Sequence, residues 1–334
     1  MHRLLSLSTV LCLVNCLFSS PASAQEIWFG TSHAVDLMSL FAPDAPWREA
    51  ASRVKVFLLG GAYMNRAPQA DIDRLVADLN RRHIAIALGV GVMESAAPAT
   101  HPACGGQGLV EGYGRTQLAR LHVAKIKHAG GVISYIAMDE PLWFGHYFNG
   151  HRGGQPGCHS SIPEILDLIR GPLAVYAEAF PGLILGDTEP TDIAEQPAWQ
   201  SDLATFASGF RRQTGRPLAF MHLDTPFKHP GEEGLTVAFY RAVEQLKQQG
   251  LVEKIGVIYD GTPDDRSDAA WVSDAEAHVH LLEDKDHLHP GQAVIFSWMD
   301  YPQHALPESS PGSLTGLVDF YAARTRQTGG ESAP

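Results

Sequence analysis

The chain has 334 residues, of which 45% are hydrophobic and 19% are charged, as is usual for a globular protein. It contains 25 basic and 37 acidic residues, so its formal net charge is −12 at pH 7. Nucleic acids and anionic membranes bind basic patches, so this balance argues against both as partners and is compatible with a neutral or cationic ligand. One large α/β domain fits the length.

Residues 1–24 have the composition of a secretory signal peptide. Arg3 forms a short basic region, residues 4–18 are apolar, and Ala22-Ser23-Ala24 supplies the small residues of a cleavage site. The apolar run is too short to span a bilayer, and no later segment is long and apolar enough, so no membrane span is expected. We predict cleavage after Ala24 and a secreted or periplasmic protein. A lipid anchor on Cys16 is the weaker alternative.

Removal of the signal peptide would leave two cysteines, Cys104 and Cys158. Both lie in segments rich in Gly and Pro, after the third and fourth predicted strands. Cysteines of exported proteins often pair, so we predict a disulfide between two neighbouring loops. Two free surface thiols are the alternative.

Short apolar runs alternate with segments of helical periodicity along the mature chain, which indicates repeated βα units. The predicted strands cover 26–30, 54–59, 84–92, 133–138, 183–185, 218–223, 254–259 and 293–298. The predicted helices cover 47–53, 70–82, 115–129, 162–180, 199–214, 235–249, 269–282 and 313–323. This alternation predicts an α/β fold, a single (β/α)8 TIM barrel over 25–325. A doubly wound open sheet is the alternative, but no Gly-x-Gly-x-x-Gly follows the first strand.

The connections after strands three and four, 93–114 and 141–161, are predicted to be long loops rich in Gly, Pro and aromatic residues. Long loops in a compact domain usually have a function. The chain after Ala323 lacks large apolar residues, and residues 326–334 are predicted to be a disordered tail.

Four consecutive predicted strands, the fourth to the seventh, each end in a carboxylate: Glu140, Glu189, Asp224 and Asp260. The loops after the strands form the open mouth of a β/α barrel, where such enzymes keep their active sites. Cleavage of a glycosidic bond needs an acid that protonates the leaving oxygen and a second carboxylate that attacks or activates water. The converging acids therefore favour glycoside hydrolysis.

The segment Asp139-Glu140-Pro141 resembles the Asn-Glu-Pro motif that ends strand four in a large clan of barrel glycoside hydrolases. The resemblance implies that Glu140 is the general acid/base, that Asp260 stands at the position of the nucleophile, and that Trp298 is the platform beneath a sugar. Three positions depart from the clan, which has Asn at the place of Asp139 and Glu at the place of Asp260. The clan also often has an Arg at the end of strand two, where the nearest one here is Arg66, in the following loop. The family within the clan is not identified by these motifs.

Further polar and aromatic residues are candidates for sugar binding. Asp187 and Glu189 are two apart and share one side if the strand persists, although Asp187 and Pro190 also suit a turn. His222 and Asp224 likewise share a side, as substrate contacts or, less favoured, as metal ligands with Asp260 or Asp300. The predicted substrate-binding set is Asp139, Asp187, His222, Asp224, Trp143, Trp298 and Asp300.

The sequence thus predicts an exported enzyme, a glycosidase that acts on a poly- or oligosaccharide. Glu140 is the predicted acid/base, and either Asp260 or Glu189 is the second carboxylate. A glycan-binding barrel without activity is the first alternative, and a metal-assisted hydrolase is the second. No cofactor and no metal site are expected. The sugar, its anomer, the retaining or inverting course, endo or exo action and the oligomeric state stay open.

Overall fold

The computed structural model describes residues 25–31, 37–94, 111–150, 157–228 and 231–330, with side chains as far as Thr325. Within these residues, eight parallel strands close into a barrel in the order β1, β2, β3, β6, β7, β8, β9 and β10. A separate parallel pair, β4 and β5, joins the two ends of the loop after β3. The strands are β1 (Glu26–Gly30), β2 (Val54–Gly60), β3 (Ala85–Val90), β4 (Met93–Glu94), β5 (Tyr113–Gly114), β6 (Ile133–Asp139), β7 (Ile184–Pro190), β8 (Leu218–Asp224), β9 (Val252–Tyr259) and β10 (Gln292–Ile295).

The helices lie between successive barrel strands, so the predicted (β/α)8 barrel is confirmed. Their apolar faces pack on the barrel, as α3 shows, where Ile72, Leu75, Val76 and Leu79 are all buried. None of the described helices combines the length and the apolar character of a membrane span. The helices are α1 (Arg48–Arg53), α2 (Gly61–Arg66), α3 (Gln69–Arg82), α4 (Thr116–His128), α5 (Ile162–Ala179), α6 (Trp199–Thr214), α7 (Glu232–Gln248), α8 (Asp268–Val279) and α9 (Leu314–Gly330).

Two strands end at least three residues from their predicted ends. β7 continues to Pro190, well past the predicted end at 185, because its backbone keeps pairing with β8 as far as the Pro190–Asp224 pair. β10 ends at Ile295 and not at Trp298. Beyond it, the Ser297 hydroxyl donates to the carbonyl oxygen of Tyr301 at 2.5 Å and accepts from the Met299 N–H at 3.2 Å. This local turn replaces strand pairing.

The C-terminal helix is longer than predicted. α9 continues to Gly330, past Ala323, and so overlaps the start of the predicted disordered tail. Extending a helix that is already formed costs less than starting one, so a polar segment can continue the packed helix before it. Residues 331–334 lie outside the described residues, as do the predicted signal peptide and Cys104, so the signal peptide and the disulfide stay predictions.

The core has two layers, as expected of a barrel with helices around it. The outer and larger layer fills the space between strands and helices. The inner layer fills the barrel itself and includes Trp28, Val56, Ala137, Phe220 and Ile258. These inner residues identify the inward parity of each strand, because successive side chains alternate between the two faces. The parity decides which strand-end acids reach the mouth of the barrel.

Gly186 on β7 is required by the inner layer. A Cβ at this position would lie 2.4 Å from the ring of Phe220, whose surroundings include Trp28 and Tyr135. We expect Gly186→Ala to lower the free energy of unfolding by about 1–3 kcal/mol, the usual cost of overpacking. The matched control is Gly182→Ala, where a Cβ meets nothing within 4 Å. Urea unfolding curves of both variants test this, and equal midpoints would contradict the prediction.

Candidate active site

A cavity of about 1010 Å³ lies at the C-terminal ends of the barrel strands, where β/α barrels place their active sites. Residues from the ends of all eight barrel strands, or from the loops after them, contribute to its wall. These include Thr31 after β1, Asp139 and Glu140 at the end of β6, Thr188 and Pro190 on β7, His222 and Asp224 on β8, Ile258 on β9 and Trp298 after β10.

Glu140 reaches the cavity through an unusual backbone conformation. β6 ends at Asp139, and Glu140 follows with a φ of 52°, in the left-handed region that non-glycine residues rarely adopt. Its N–H donates to the carbonyl oxygen of Thr188 at 3.0 Å, so β7 holds the turn in place. Strain of this kind is common at functional sites. Asp139 and Glu140 therefore both line the cavity, although strand alternation alone would point them to opposite faces.

The carboxyl groups in the cavity favour their protonated forms to different degrees. Burial raises the pKa of Glu140 well above its usual value, and the charge of Asp224 is the largest contributor among its charged neighbours. Burial, followed by the charges of Glu111 and Asp224, raises the pKa of Asp139 to about 8. Groups this close titrate as a set. At neutral pH the cavity therefore contains carboxylic acids that can donate protons.

Asp224 is the member of this set that ionises most easily. Burial and the Glu111 charge raise its pKa to about 6, while Lys228 and the nearby indole of Trp298 oppose the rise. The Lys228 ammonium lies 5.2 Å from the centroid of the Trp298 ring, in a cation–π contact. Asp224, Lys228 and Trp298 all line the cavity.

Glu189 has a different place from the one that the sequence suggests. It shares a face of β7 with Asp187, but the opposite face carries Gly186, Thr188 and Pro190 and is the one that lines the barrel. Glu189 is 0% exposed and is not part of the cavity wall. Its two oxygens accept hydrogen bonds from the N–H groups of Leu142 at 2.7 Å and Trp143 at 3.0 Å, directly after the Glu140 turn.

Asp187 is buried on the same outward face of β7, behind the cavity wall. It is 0% exposed, and burial followed by the Glu189 charge raises its pKa well above the usual range. Burial likewise raises the pKa of Glu189 to about 8, against the effect of its two N–H donors. Neither carboxyl group contacts the space that a ligand would fill. Their surroundings suit a structural role.

Asp260 and Asp300 also lie off the cavity wall. Asp260 follows β9 and is 0% exposed, and burial raises the pKa of its carboxyl group, with a smaller contribution from Asp224. Asp300 is exposed and lies beyond the end of β10. Neither the predicted second carboxylate Asp260 nor the predicted substrate contact Asp300 therefore lines the cavity.

His222 lines the cavity floor and is 1% exposed. Its Nε2 lies 2.9 Å from Oε1 of Gln292, whose Nε2 donates to Glu26 at 3.0 Å, and Lys254 donates to the same carboxylate at 2.8 Å. Because the Gln292 amide nitrogen is the donor to Glu26, its oxygen must accept from His222, so Nε2 carries the proton. Burial lowers the pKa of His222 to about 4, and the neutral ring therefore has a bare Nδ1.

Several residues that the sequence analysis did not select also line the cavity, among them Thr31, Glu111, Asp192 and Lys228. Asp192 and Lys228 follow the ends of β7 and β8 by a few residues, so attention to the loops after each strand would have found them. Glu111 lies at the end of a long loop, where no local pattern marks it. Trp143, which the sequence analysis did select, is half-buried in the wall.

The acids of the cavity are not arranged as a metal site. Within the described residues, no group of three or more His, Cys, Asp and Glu side chains is placed to hold a metal ion. His222 and Asp224 share the inward face of β8, but the ring nitrogen Nε2 of His222 is already bonded to Gln292. What the site offers is protonated and ionised carboxyl groups beside an aromatic side chain.

No protein-family model and no curated protein matches the sequence. Solved structures of low sequence identity do match. A GH10 protein from Paenibacillus barcinonensis has 12% sequence identity to this chain and a TM-score of 0.49. The match covers 90% of this chain and 96% of that protein. Xylanase 10B from Thermotoga petrophila RKU-1, solved with xylobiose, has 13% sequence identity and a TM-score of 0.49. The match covers 83% of this chain and 82% of that protein. The GH53 catalytic domain from Ignisphaera aggregans has 10% sequence identity and a TM-score of 0.48. The match covers 83% of this chain and 88% of that domain.

All three belong to glycoside hydrolase families, which is a property of those proteins and not of this chain. Identities of 10–13% and TM-scores of 0.48 and 0.49 are too low to relate either the fold or the chemistry. The fold of this chain is established by its own strand pairing.

Proposed function

We propose that this protein is an exported glycoside hydrolase that cleaves a poly- or oligosaccharide. The observation that carries the proposal is the pair of carboxyl groups of Glu140 and Asp224, which line one cavity from the ends of β6 and β8. Glycosidases need two such groups on either side of the scissile bond. Asp224 takes the place of Glu189 and Asp260 as the second carboxylate, because neither of those lines the cavity.

The surroundings assign the two roles. Asp224 ionises first, since Lys228 and Trp298 lower its pKa, and its charge in turn helps to keep the proton on Glu140. Two carboxyl groups whose pKa values are driven apart divide into a proton donor and an anion. Glu140 would protonate the oxygen of the leaving sugar, and Asp224 would attack the anomeric carbon or remove a proton from the attacking water.

The remaining wall suits a sugar chain. Trp298 and Trp143 offer apolar ring faces for the C–H faces of sugar rings, and polar groups between them can bind hydroxyls. The volume of about 1010 Å³ is at the upper end of the usual range for ligand sites, as an oligomeric ligand requires. Residues 1–24 would direct export and be removed by cleavage after Ala24.

The first test is an assay of reducing-sugar release by the mature protein on a broad panel of neutral, acidic and amino-sugar glycans. The blank is a double variant, Glu140→Gln with Asp224→Asn, purified in the same way. Release by the wild type and not by the blank supports the hydrolase, and the anomer first formed, read by NMR, shows retention or inversion. Binding without cleavage by the wild type would instead make the protein a glycan-binding barrel.

The pH dependence of kcat/KM should report the two roles. Activity needs Asp224 ionised and Glu140 protonated, so the rate should rise with pH through about 6 and fall at higher pH, where Glu140 loses its proton. Lys228 lowers the pKa of Asp224, so Lys228→Met should move the acid limb to higher pH. Rate profiles at constant ionic strength test this. An acid limb near 4, as for an ordinary carboxyl group, would contradict the assignment.

A further inference from the structure

The charges that line the cavity are strongly unbalanced. Its wall contains seven carboxyl side chains and two basic ones within the described residues. A neutral sugar chain requires two catalytic acids and a few hydrogen-bonding groups, and additional like charges in one cavity are costly. The acids are Asp71, Glu111, Asp139, Glu140, Asp192, Asp224 and Glu232, and the bases are Arg66 and Lys228.

A second observation, independent of the acids, concerns His222. Its Cδ2 and Nε2 edge faces Gly256 and Gln292, since a Cβ at Gly256 would lie 2.4 Å from Cδ2. The opposite edge carries Nδ1, which has no hydrogen-bond partner among the described residues. The chain of hydrogen bonds through Gln292 to Glu26 keeps the proton on Nε2, so Nδ1 can only accept. His222 thus brings to the lining of the cavity a buried acceptor, Nδ1, that has no donor among the described residues.

A third observation shows that the wall already accommodates an ammonium group. The Nζ of Lys228 lies 5.2 Å from the centroid of the Trp298 ring, on the side of the cavity that Asp224 occupies. An aromatic face combined with a nearby carboxylate is a good environment for an alkylammonium ion. The side chain of Lys228 fills this environment from within the protein, as a ligand could from outside.

Resting on the hydrolase function proposed for this cavity, we propose that the substrate is a glycan of amino sugars with free, protonated amino groups. The ammonium of one sugar would bind between Asp139, Asp224 and Nδ1 of His222. An N-acetylated sugar has no positive charge there, and its amide offers a single N–H donor in place of the three of an ammonium group. Such a sugar would be discriminated against by unpaired polar groups as well as by lost attraction.

The test is isothermal titration calorimetry with tetramers of glucosamine, N-acetylglucosamine and xylose. The titrations use the full mature chain, as wild type and as Glu140→Gln, at a pH where the amino groups are protonated. We expect the glucosamine tetramer to bind at least about tenfold more tightly than either neutral tetramer, which corresponds to one decade in Kd. Added salt should weaken its binding selectively, since salt screens charge attraction.

Two charge-matched variants locate the effect. Asp224→Asn removes one negative charge inside the cavity and should abolish most of the preference for the glucosamine tetramer. Glu253→Gln removes one from the exposed part of β9 and should leave the preference intact. Lys228→Met, which removes the internal ammonium, should strengthen binding of the glucosamine tetramer. Equal losses in Asp224→Asn and Glu253→Gln would attribute the effect to net charge and overturn the proposed site.

The two proposals fail in different ways. Equal or tighter binding of the neutral tetramers would overturn the amino-sugar inference, and cleavage of a neutral glycan in the panel assay would still leave the hydrolase standing. Tight, salt-sensitive binding of the glucosamine tetramer without cleavage of any glycan would uphold the inference about the ligand and overturn the hydrolase.

Discussion

Replacement of Glu140 by Gln is expected to lower the rate of glycan cleavage by about 10²- to 10⁴-fold, the usual contribution of a general acid. The amide keeps the shape of the side chain and loses the proton that the leaving oxygen must receive. The φ of 52° and the hydrogen bond to Thr188 involve only the backbone, so the turn should persist. Rates of wild type and variant on the same glycan, with circular dichroism to verify folding, measure the loss.

The role of Glu140 can be separated from a general loss of activity by varying the leaving group. A nitrophenyl glycoside leaves as a stable anion and needs little protonation, so Glu140→Gln should impair its cleavage far less than that of the natural glycan. Glu253→Gln, on the exposed surface, serves as a control for the amide change. Equal impairment of both substrates would exclude Glu140 as the proton donor, and near-normal rates on both would exclude it from the reaction.

Replacement of Glu189 by Gln is expected to destabilise the protein and to reduce kcat without a comparable change in KM. Glu189 accepts the N–H groups of Leu142 and Trp143 at 2.7 and 3.0 Å in a fully buried setting. A glutamine has one oxygen and one NH2 group, so one of these buried N–H groups would lose its acceptor. The cost of such a loss is about 1–3 kcal/mol. The Glu140 turn directly precedes these residues and would shift with them.

Denaturant unfolding and steady-state kinetics on the same preparations test this positioning role. Asp187→Asn is the matched control, because it replaces another buried carboxyl group on the same face of β7, one whose raised pKa keeps it neutral. That variant should retain most of its stability and kcat. If Glu189→Gln instead lost activity as severely as Glu140→Gln with unchanged stability, Glu189 would belong to the reacting groups, as the sequence first suggested.

The fold could be predicted because the information for it is local. The apolar residues of α3 recur at helical spacing, and the strands are short runs bounded by turns, so alternation of the two could be followed along the chain. The discrepancies occur where distant contacts or local side-chain bonds intervene. Pairing with β8 extends β7 to Pro190. The hydrogen bond from the Ser297 hydroxyl to the carbonyl oxygen of Tyr301 forms a local turn, so β10 ends before Trp298.

The candidate site was predicted in part. Glu140, Asp139, His222, Asp224, Trp143 and Trp298 line the cavity, as expected of residues at strand ends. Glu189 and Asp187 do not, because alternation along a strand relates side chains to one another without saying which face turns inward. That choice depends on the inner layer, where Gly186 leaves room for Phe220 and thereby makes the other face of β7 the outward one.

The sequence by itself determined the order of strands and helices, the acids at the strand ends and the resemblance to glycosidases, since each depends on neighbouring residues. Only the tertiary structure decided which acids share the cavity and which keep their protons. Burial and the charges of distant residues set the pKa values of Glu140 and Asp224, and barrel closure brings β6 and β8 to one mouth. The energy of a charge depends on what surrounds it in space, and that is absent from a linear chain.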